Sequence, residues 1–212
     1  DCAACREGKY NLCDKLGFVG LSGGHGGFAA YSVVPARMVH KIPEGLSMEQ
    51  GALVEPAAVA LHAVRLSKIK AGDTAAVFGA GPIGLLVLEA LRVAGAAQIH
   101  VVEPSDVRRQ KALELGATSV IDPVATDAVA AIRAASGGVH VAFEVTGVPR
   151  VLPQCIDATR HEGQVLIVSI WEGDAAFHPN TVVLKERQLL GTIAYRNVYP
   201  AVMELMTQGY FS

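Results

Sequence analysis

Two groups of residues in this chain have types and spacings that could do chemistry. The first is Gly79-Ala80-Gly81-Pro82-Ile83-Gly84, a glycine-rich turn between an apolar run and a helical stretch. In such a loop the first glycine permits a tight turn and the second lets the backbone approach a pyrophosphate. The third lets the helix pack closely on the sheet. A helix beginning at Pro82 offers unpaired N–H groups and the positive end of its dipole to phosphates. Proline loses nothing at that first position, because its missing N–H would have had no partner. Glu103 ends the next apolar run about 20 residues on, where a carboxylate bonds the hydroxyls of an adenosine ribose. Its charge would repel a 2′-phosphate, which favours NAD over NADP, whereas the nearby Arg108 and Arg109 could accept one. The plainer alternative is an ordinary strand–turn–helix with a surface glutamate.

The second group is Cys2, Cys5 and Cys13, three of the four cysteines crowded at one end. With no basic-then-apolar leader visible, a cluster at C-x2-C-x7-C spacing points to metal rather than to disulfides. Three thiolates are one short of the four that a closed zinc site takes. The alternative is three small buried hydrophobes, the reading given to Cys155, which stands alone in a helical stretch.

The elements that must position these groups follow from the apolar pattern. Half of the 212 residues are hydrophobic and 18% are charged, enough to bury a sizeable core. A net charge of −2 gives no reason to expect nucleic acid or an anionic membrane as partner. The most apolar stretch, residues 75–102, is interrupted by Gly79, Gly81, Gly84, Glu89 and Arg92, so no membrane span is expected. A cytoplasmic location is the expectation.

Strands are expected at Phe28–Val34 and again before Pro43, and a helix over Met48–Leu66, capped by Ser47 and Gln50 and interrupted at Pro56. From residue 74 short apolar runs alternate with helical stretches. Strands are predicted at 74–78, 99–102, 120–121, 139–145, 164–170 and 189–194, with helices at 82–93, from Ser105 to near Gly116, at 125–135 and at 150–159. This alternation reads as α/β, a doubly wound parallel sheet.

Further segments carry a family resemblance. Gly26-Gly-Phe-Ala-Ala-Tyr31, Lys41-Ile-Pro-Glu-Gly, Ala52-Leu-Val-Glu-Pro56, the glycine loop and Leu115-Gly-Ala stand in one order. With one more cysteine before Cys2, the cluster would read C-x2-C-x2-C-x7-C. Together these resemble the zinc-dependent medium-chain alcohol dehydrogenases over the whole chain. The resemblance implies a GroES-like, β-rich catalytic domain in part (residues 1–60), a Rossmann NAD-binding domain (61–195) and the start of a return to the catalytic domain (196–212). It implies a structural zinc on Cys2, Cys5 and Cys13. Glu55, in its Glu-Pro segment, would be a ligand of a catalytic zinc or hold the zinc-bound water.

The cysteine and Gly-His-Glu motif that complete the catalytic site in the family are not in this sequence. The chain is therefore expected to be a piece truncated at both ends that binds NAD without turnover. His25, His40 and His62 are the candidate replacement ligands, and His62 reads better as a hydrogen-bonding residue.

By position, the resemblance gives the cofactor Arg108, beside the ribose, and the loops Thr146-Gly147, Val168-Ser169-Ile170 and Thr192-Ile193-Ala194. Ordinary strand-end loops are the alternative for these. Ala194 stands where polyol-oxidising members carry an arginine, which favours a short diol or hydroxyketone over a sugar alcohol. Polyol or threonine oxidation, or a non-catalytic NAD-binding module, are the competing readings. The edge strand at 189–194 would pair with a second subunit in a homodimer or homotetramer.

Overall fold

The structure is a computed structural model and describes residues 2–24 and 26–211. The N-terminal part holds a short helix α1 (Ala3–Arg6), single 3-10 turns at Tyr10–Leu12 and Ala36–Met38, and the long helix α2 (Met48–Leu66). Strand and helix then alternate: β1 (Thr74–Phe78), α3 (Pro82–Val93), β2 (Gln98–Val102), α4 (Asp106–Glu114), β3 (Ser119–Ile121) and α5 (Ala128–Ser136). They continue as β4 (Val139–Glu144), α6 (Val151–Ala158), β5 (Thr159–Ile167), α7 (Asn180–Val183), β6 (Gln188–Gly191) and α8 (Tyr199–Thr207). All strand pairs are parallel, in the order β3-β2-β1-β4-β5-β6. The sheet is the doubly wound one expected, and its order reverses between β1 and β4, where such sheets open a crevice.

Helices cover both faces, so the central strand β1 is buried on both sides from Ala75 to Phe78 rather than alternating. Ala75 and Val77 of β1 pack with Leu61, Val87, Leu91 and Val202 of α2, α3 and α8. Ala76 and Phe78 face the other way, onto Ile132, Ile156 and the fully buried Cys155. α8 lies against α2, and its Val202, Met203 and Met206 belong to the first of these cores.

α2 opens with a capping box. The Gln50 N–H donates to Ser47 Oγ (3.2 Å) and the Ser47 N–H to Gln50 Oε1 (2.9 Å). The expected interruption at Pro56 does not occur. Proline removes one helical bond, to the carbonyl of Ala52, and Ala52 is exposed, where water can satisfy that oxygen. Past it, nearly every residue from Ala57 to Val64 is buried against α3 and α8, and tertiary packing of this kind supplies most helical stability.

Neither strand expected before residue 43 forms. Residues 28–34 are bent or extended without a ladder, and Phe28 and Tyr31 are almost wholly exposed. Among the described residues no strand lies beside them, and a lone strand leaves its N–H and C=O groups unpaired. β5 and β6 end at Ile167 and Gly191, earlier than their apolar runs suggest, which releases residues 168–170 and 192–194 into loops. No helix among the described residues is long and apolar enough to cross a membrane.

One buried side chain is expected to make this sheet sensitive to acid. His100 on β2 is buried, its Nδ1 bonded to Ser119 Oγ (2.7 Å) and its Nε2 without a hydrogen-bond partner among the described residues. Burial lowers its pKa below the ordinary value. The fold therefore holds the neutral ring. The stability this contributes is present above about pH 6.5, the unfolded value, and is lost as pH falls from there toward the folded one. Melting temperature is expected to fall between about pH 7.5 and pH 5.5, and His100→Gln to remove part of that fall. An unchanged pH slope in the variant would show that His100 is not responsible.

Candidate dinucleotide and metal sites

The register of the sheet brings the strand ends level. Phe78 lies beside both Val102 and Glu144, and Ile167 beside both Glu144 and Gly191. The ladder extends one step further through Gly79 N–H to Val102 O (2.8 Å), Val145 N–H to Phe78 O (3.2 Å), Val168 N–H to Glu144 O (3.0 Å) and Thr192 N–H to Ile167 O (3.0 Å). Gly79–Gly84, Glu103, Thr146-Gly147, Val168–Ile170 and Thr192–Ala194 thus leave the sheet along one rim, about the switch point between β1 and β4.

The three glycines of the loop differ in what surrounds them. Gly79 turns out of β1 with φ +106°, and a Cβ there would stand 2.8 Å from Thr146 Cγ2. Gly84, in the first turn of α3, lies so close to the Gly79 carbonyl that a Cβ would collide with its oxygen. Gly81 has ordinary extended backbone (φ −70°, ψ −178°), and a Cβ there would meet nothing within 4 Å. It caps α3 without a side chain, so the first-turn N–H groups of Ile83 and Gly84 have no capping acceptor. Open space at the positive end of a helix is where a pyrophosphate fits.

Glu103 is buried beside this loop. Its Oε2 accepts the Ala80 N–H (2.8 Å) and its Oε1 the Ser105 N–H (3.0 Å), so one carboxylate braces both the glycine turn and the β2–α4 connection. Arg109 donates to the carbonyls of Glu103 (2.9 Å) and Pro104 (2.7 Å) and pairs with Asp106 and Asp122. It is committed to the loop. Arg108 is exposed, 4.0 Å from Glu103 Oε1.

Sequence reasoning missed Glu144, the fully buried last residue of β4. Its Oε1 accepts the Thr146 N–H (2.8 Å), the Thr146 hydroxyl (2.5 Å) and the Gly147 N–H (3.1 Å). Its Oε2 accepts the Ser169 hydroxyl. Glu144 therefore joins the loops after β4 and β5 at the switch point. The available signal was its place: like Glu103, it is a carboxylate closing an apolar strand.

Glu55 is exposed on α2, next to the loop after β6. Burial first, then the Tyr199 hydroxyl and the Glu55 carboxylate, push the Tyr195 hydroxyl far above its ordinary pKa. Tyr195 and Tyr199 share a 2.9 Å bond between hydroxyls, and the His40 ring packs on Tyr199. His62 is buried, with Nε2 3.5 Å from Asn11 Nδ2, a hydrogen-bonding rather than a ligating position. His25 lies outside the described residues.

The sulfurs of Cys2, Cys5 and Cys13 all lie within 4.8 Å of one another. Zinc–sulfur bonds of about 2.3 Å at tetrahedral angles put sulfurs about 3.8 Å apart, so the residues present fit three corners of such a site. Backbone N–H groups of Asp14 and Cys5 pull the Cys2 thiol down to about 7, while the neighbouring Cys13 and Cys2 sulfurs push Cys5 up to about 11. One thiolate suppresses the next unless a cation stands among them.

Comparisons with known proteins show the family of the chain. Residues 82–208 match the family model of zinc-binding dehydrogenases, and residues 1–44 that of the alcohol dehydrogenase GroES-like domain. Over 97% of its length the chain is 59% identical to the (R,R)-butanediol dehydrogenase of Bacillus subtilis strain 168, of which it spans 60%. The crystal structure of 2R,3R-butanediol dehydrogenase from Bacillus subtilis matches with a TM-score of 0.92, covering 97% of this chain and 59% of that one.

A solved chain from Sinorhizobium meliloti 1021, bound to NADP, is 35% identical with a TM-score of 0.92 (98% and 62% covered). A short chain alcohol dehydrogenase from Escherichia coli CFT073, complexed with NADH, is 26% identical with a TM-score of 0.92 (98% and 62% covered).

Proposed function

The chain belongs to the zinc-binding dehydrogenase family, and from that premise we propose that it is the dinucleotide-binding part of an NAD-dependent, zinc-assisted secondary-alcohol dehydrogenase. Its substrate pair is 2,3-butanediol and acetoin. The observation that carries the cofactor reading is the open space at Gly81, against the N-terminus of α3 and beside the buried Glu103. The 59% identical butanediol dehydrogenase and Ala194 in the loop after β6 support the substrate.

When bound, NAD supplies a hydride acceptor and zinc a Lewis acid for oxidation of the alcohol. In this reading the N–H groups of Ile83 and Gly84 hold the pyrophosphate, and Glu103 and Arg108 hold the adenosine ribose. Thr146-Gly147, Val168–Ile170 and Thr192–Ala194 line the nicotinamide half. Cys2, Cys5 and Cys13 hold a structural zinc, and Glu55 is the carboxylate of the catalytic one. Residues 1–60 form part of the GroES-like domain, 61–195 the dinucleotide-binding domain and 196–212 the start of the return. The free edge of β6 pairs with a second copy in a dimer or tetramer. Glu55 is the one donor to the catalytic zinc in this assignment, so these 212 residues bind NAD without turnover.

Assay of the complete enzyme with NAD and 2,3-butanediol, sorbitol or threonine tests the substrate. The highest kcat/KM is expected for butanediol, a clear preference for sorbitol would sink the assignment, and no turnover with any alcohol would favour a non-catalytic module. The ribose contact has its own test. Glu103→Ser removes charge-assisted bonds and the repulsion of a 2′-phosphate, so NADH binding is expected to weaken about tenfold or more while NADPH binding improves. Fluorescence titrations with both nucleotides measure the ratio; an unchanged ratio would remove Glu103 from the ribose site.

A further inference from the structure

The cysteine lobe is tied to the loop after β6 by two residues that neither site accounts for. Asn11 stands in the 3-10 turn between Cys5 and Cys13 and is 3% exposed despite its polar side chain. Its Nδ2 donates to the Ile193 carbonyl (2.9 Å), and its Oδ1 accepts from Arg196 Nη1 (3.1 Å). The same amide nitrogen lies 3.5 Å from His62 Nε2 on α2. One residue earlier, the Tyr10 hydroxyl accepts the Asn197 N–H at 2.7 Å. The bonds to Ile193, Arg196 and Asn197 join points more than half the chain apart.

The loop they hold is strained. Ala194 (φ +48°) and Asn197 (φ +53°) occupy left-handed backbone, which side-chain-bearing residues avoid unless their surroundings hold them there. Each strained residue is adjacent to, or is itself, a group held by the turn: Ile193 precedes Ala194, Arg196 precedes Asn197, and the Asn197 N–H is a donor. On its own side the turn is slight. Its backbone is closed by Leu12 N–H to Lys9 O (2.9 Å) and Cys13 N–H to Tyr10 O (3.2 Å), and it is flanked by Cys5 and Cys13.

We propose that a metal held by Cys2, Cys5 and Cys13 acts on the dinucleotide site through Tyr10 and Asn11, which fix the loop of residues 192–197 in its binding form. Tyr10 and Asn11 are positioning residues, since they act through the loop. The inference rests on the zinc and NAD readings above. Pinning both flanks of the turn fixes where Tyr10 and Asn11 stand, and these in turn hold a backbone that would otherwise leave its left-handed conformation. The coupling is reciprocal, so bound dinucleotide also raises the affinity of the cysteines for zinc.

The test is a fluorescence titration of NADH into the zinc-loaded chain and into the same chain stripped by chelator, metal content being checked in each. Hydrogen–deuterium exchange of residues 192–197 is followed in parallel. Stripping is expected to weaken NADH binding about three- to tenfold and to speed exchange in the loop. Tyr10→Phe deletes one hydroxyl and keeps the ring; with zinc bound, it is expected to weaken NADH about two- to tenfold, and stripping then adds little.

Equal NADH affinity with and without zinc, with unchanged exchange, overturns the coupling and leaves the zinc and NAD readings standing. A chain that takes up no NADH overturns the NAD reading, one that takes up no zinc overturns the zinc reading, and either removes the inference as well. Should the stripped chain unfold, the zinc-loaded Tyr10→Phe protein decides alone, and parental NADH affinity there overturns the proposal.

Discussion

Gly81→Ala is expected to weaken NADH binding about a hundredfold with no loss of thermal stability, and Gly84→Ala to lower the melting temperature by about 5–10 °C. The contrast comes from what each new methyl would meet. At Gly81 the backbone is extended and the space is empty. Alanine is unstrained there and restricts the unfolded chain more than glycine does, so stability is unchanged or slightly raised. The methyl does enter the volume assigned to the pyrophosphate. Losing two charge-assisted bonds of about 1.5 kcal/mol each gives the hundredfold.

At Gly84 the methyl meets the Gly79 carbonyl and would stand 3.1 Å from Val145 Cγ2. Neither the carbonyl nor the helix can yield without moving the turn, an overpacking cost of about 2–3 kcal/mol. In a chain of this size each kcal/mol moves the melting temperature by about 2–4 °C. Calorimetry and NADH titration on both variants separate the effects. Parental NADH affinity in Gly81→Ala would show that the opening does not hold the pyrophosphate.

What could be read from the sequence was local. Gly79 to Gly84 and Glu103 lie within one strand–helix–strand unit, where spacing along the chain sets spacing in the fold, and the structure places them together through the bond from the Ala80 N–H. What could not be read depended on partners far away. Asn11 looks like any polar residue of a turn until residues 193–196 arrive beside it. Residues 28–34 carry a strand-like composition, but a strand needs a ladder, and nothing in its own pattern says whether a neighbour is present. Pro56 shows the opposite error. A rule about one backbone bond predicts a break, and burial of seven of the next eight residues outweighs it. The roles of Arg108 and Arg109, alike in sequence, are separated only by which carbonyls the second one reaches.

Glu144→Gln is expected to cost about 2–4 kcal/mol of stability and to loosen NADH binding together with it. Two oxygens of this buried carboxylate accept four donors. A glutamine amide keeps one accepting oxygen and replaces the other with a donor. On whichever side the nitrogen falls, it faces hydrogens. If it takes the Oε2 position, it opposes the Ser169 hydroxyl, which can rotate away; if it takes Oε1, it opposes two backbone N–H groups that cannot.

The amide is therefore forced into one orientation and still supplies weaker bonds than the carboxylate. Each donor left unmet in this fully buried position costs about 1–3 kcal/mol, and the melting temperature is expected to fall by about 5–15 °C. Glu144→Leu is no remedy, because it removes the acceptors and leaves the donors. The loops that Glu144 joins, Thr146-Gly147 and Ser169, are those assigned to the nicotinamide half, so binding should weaken in the same variant that melts early, unlike Gly81→Ala. A Glu144→Gln protein that melts and binds like the parent would mean that these loops hold their shape without the carboxylate, leaving a buried charge at the switch point with no structural role.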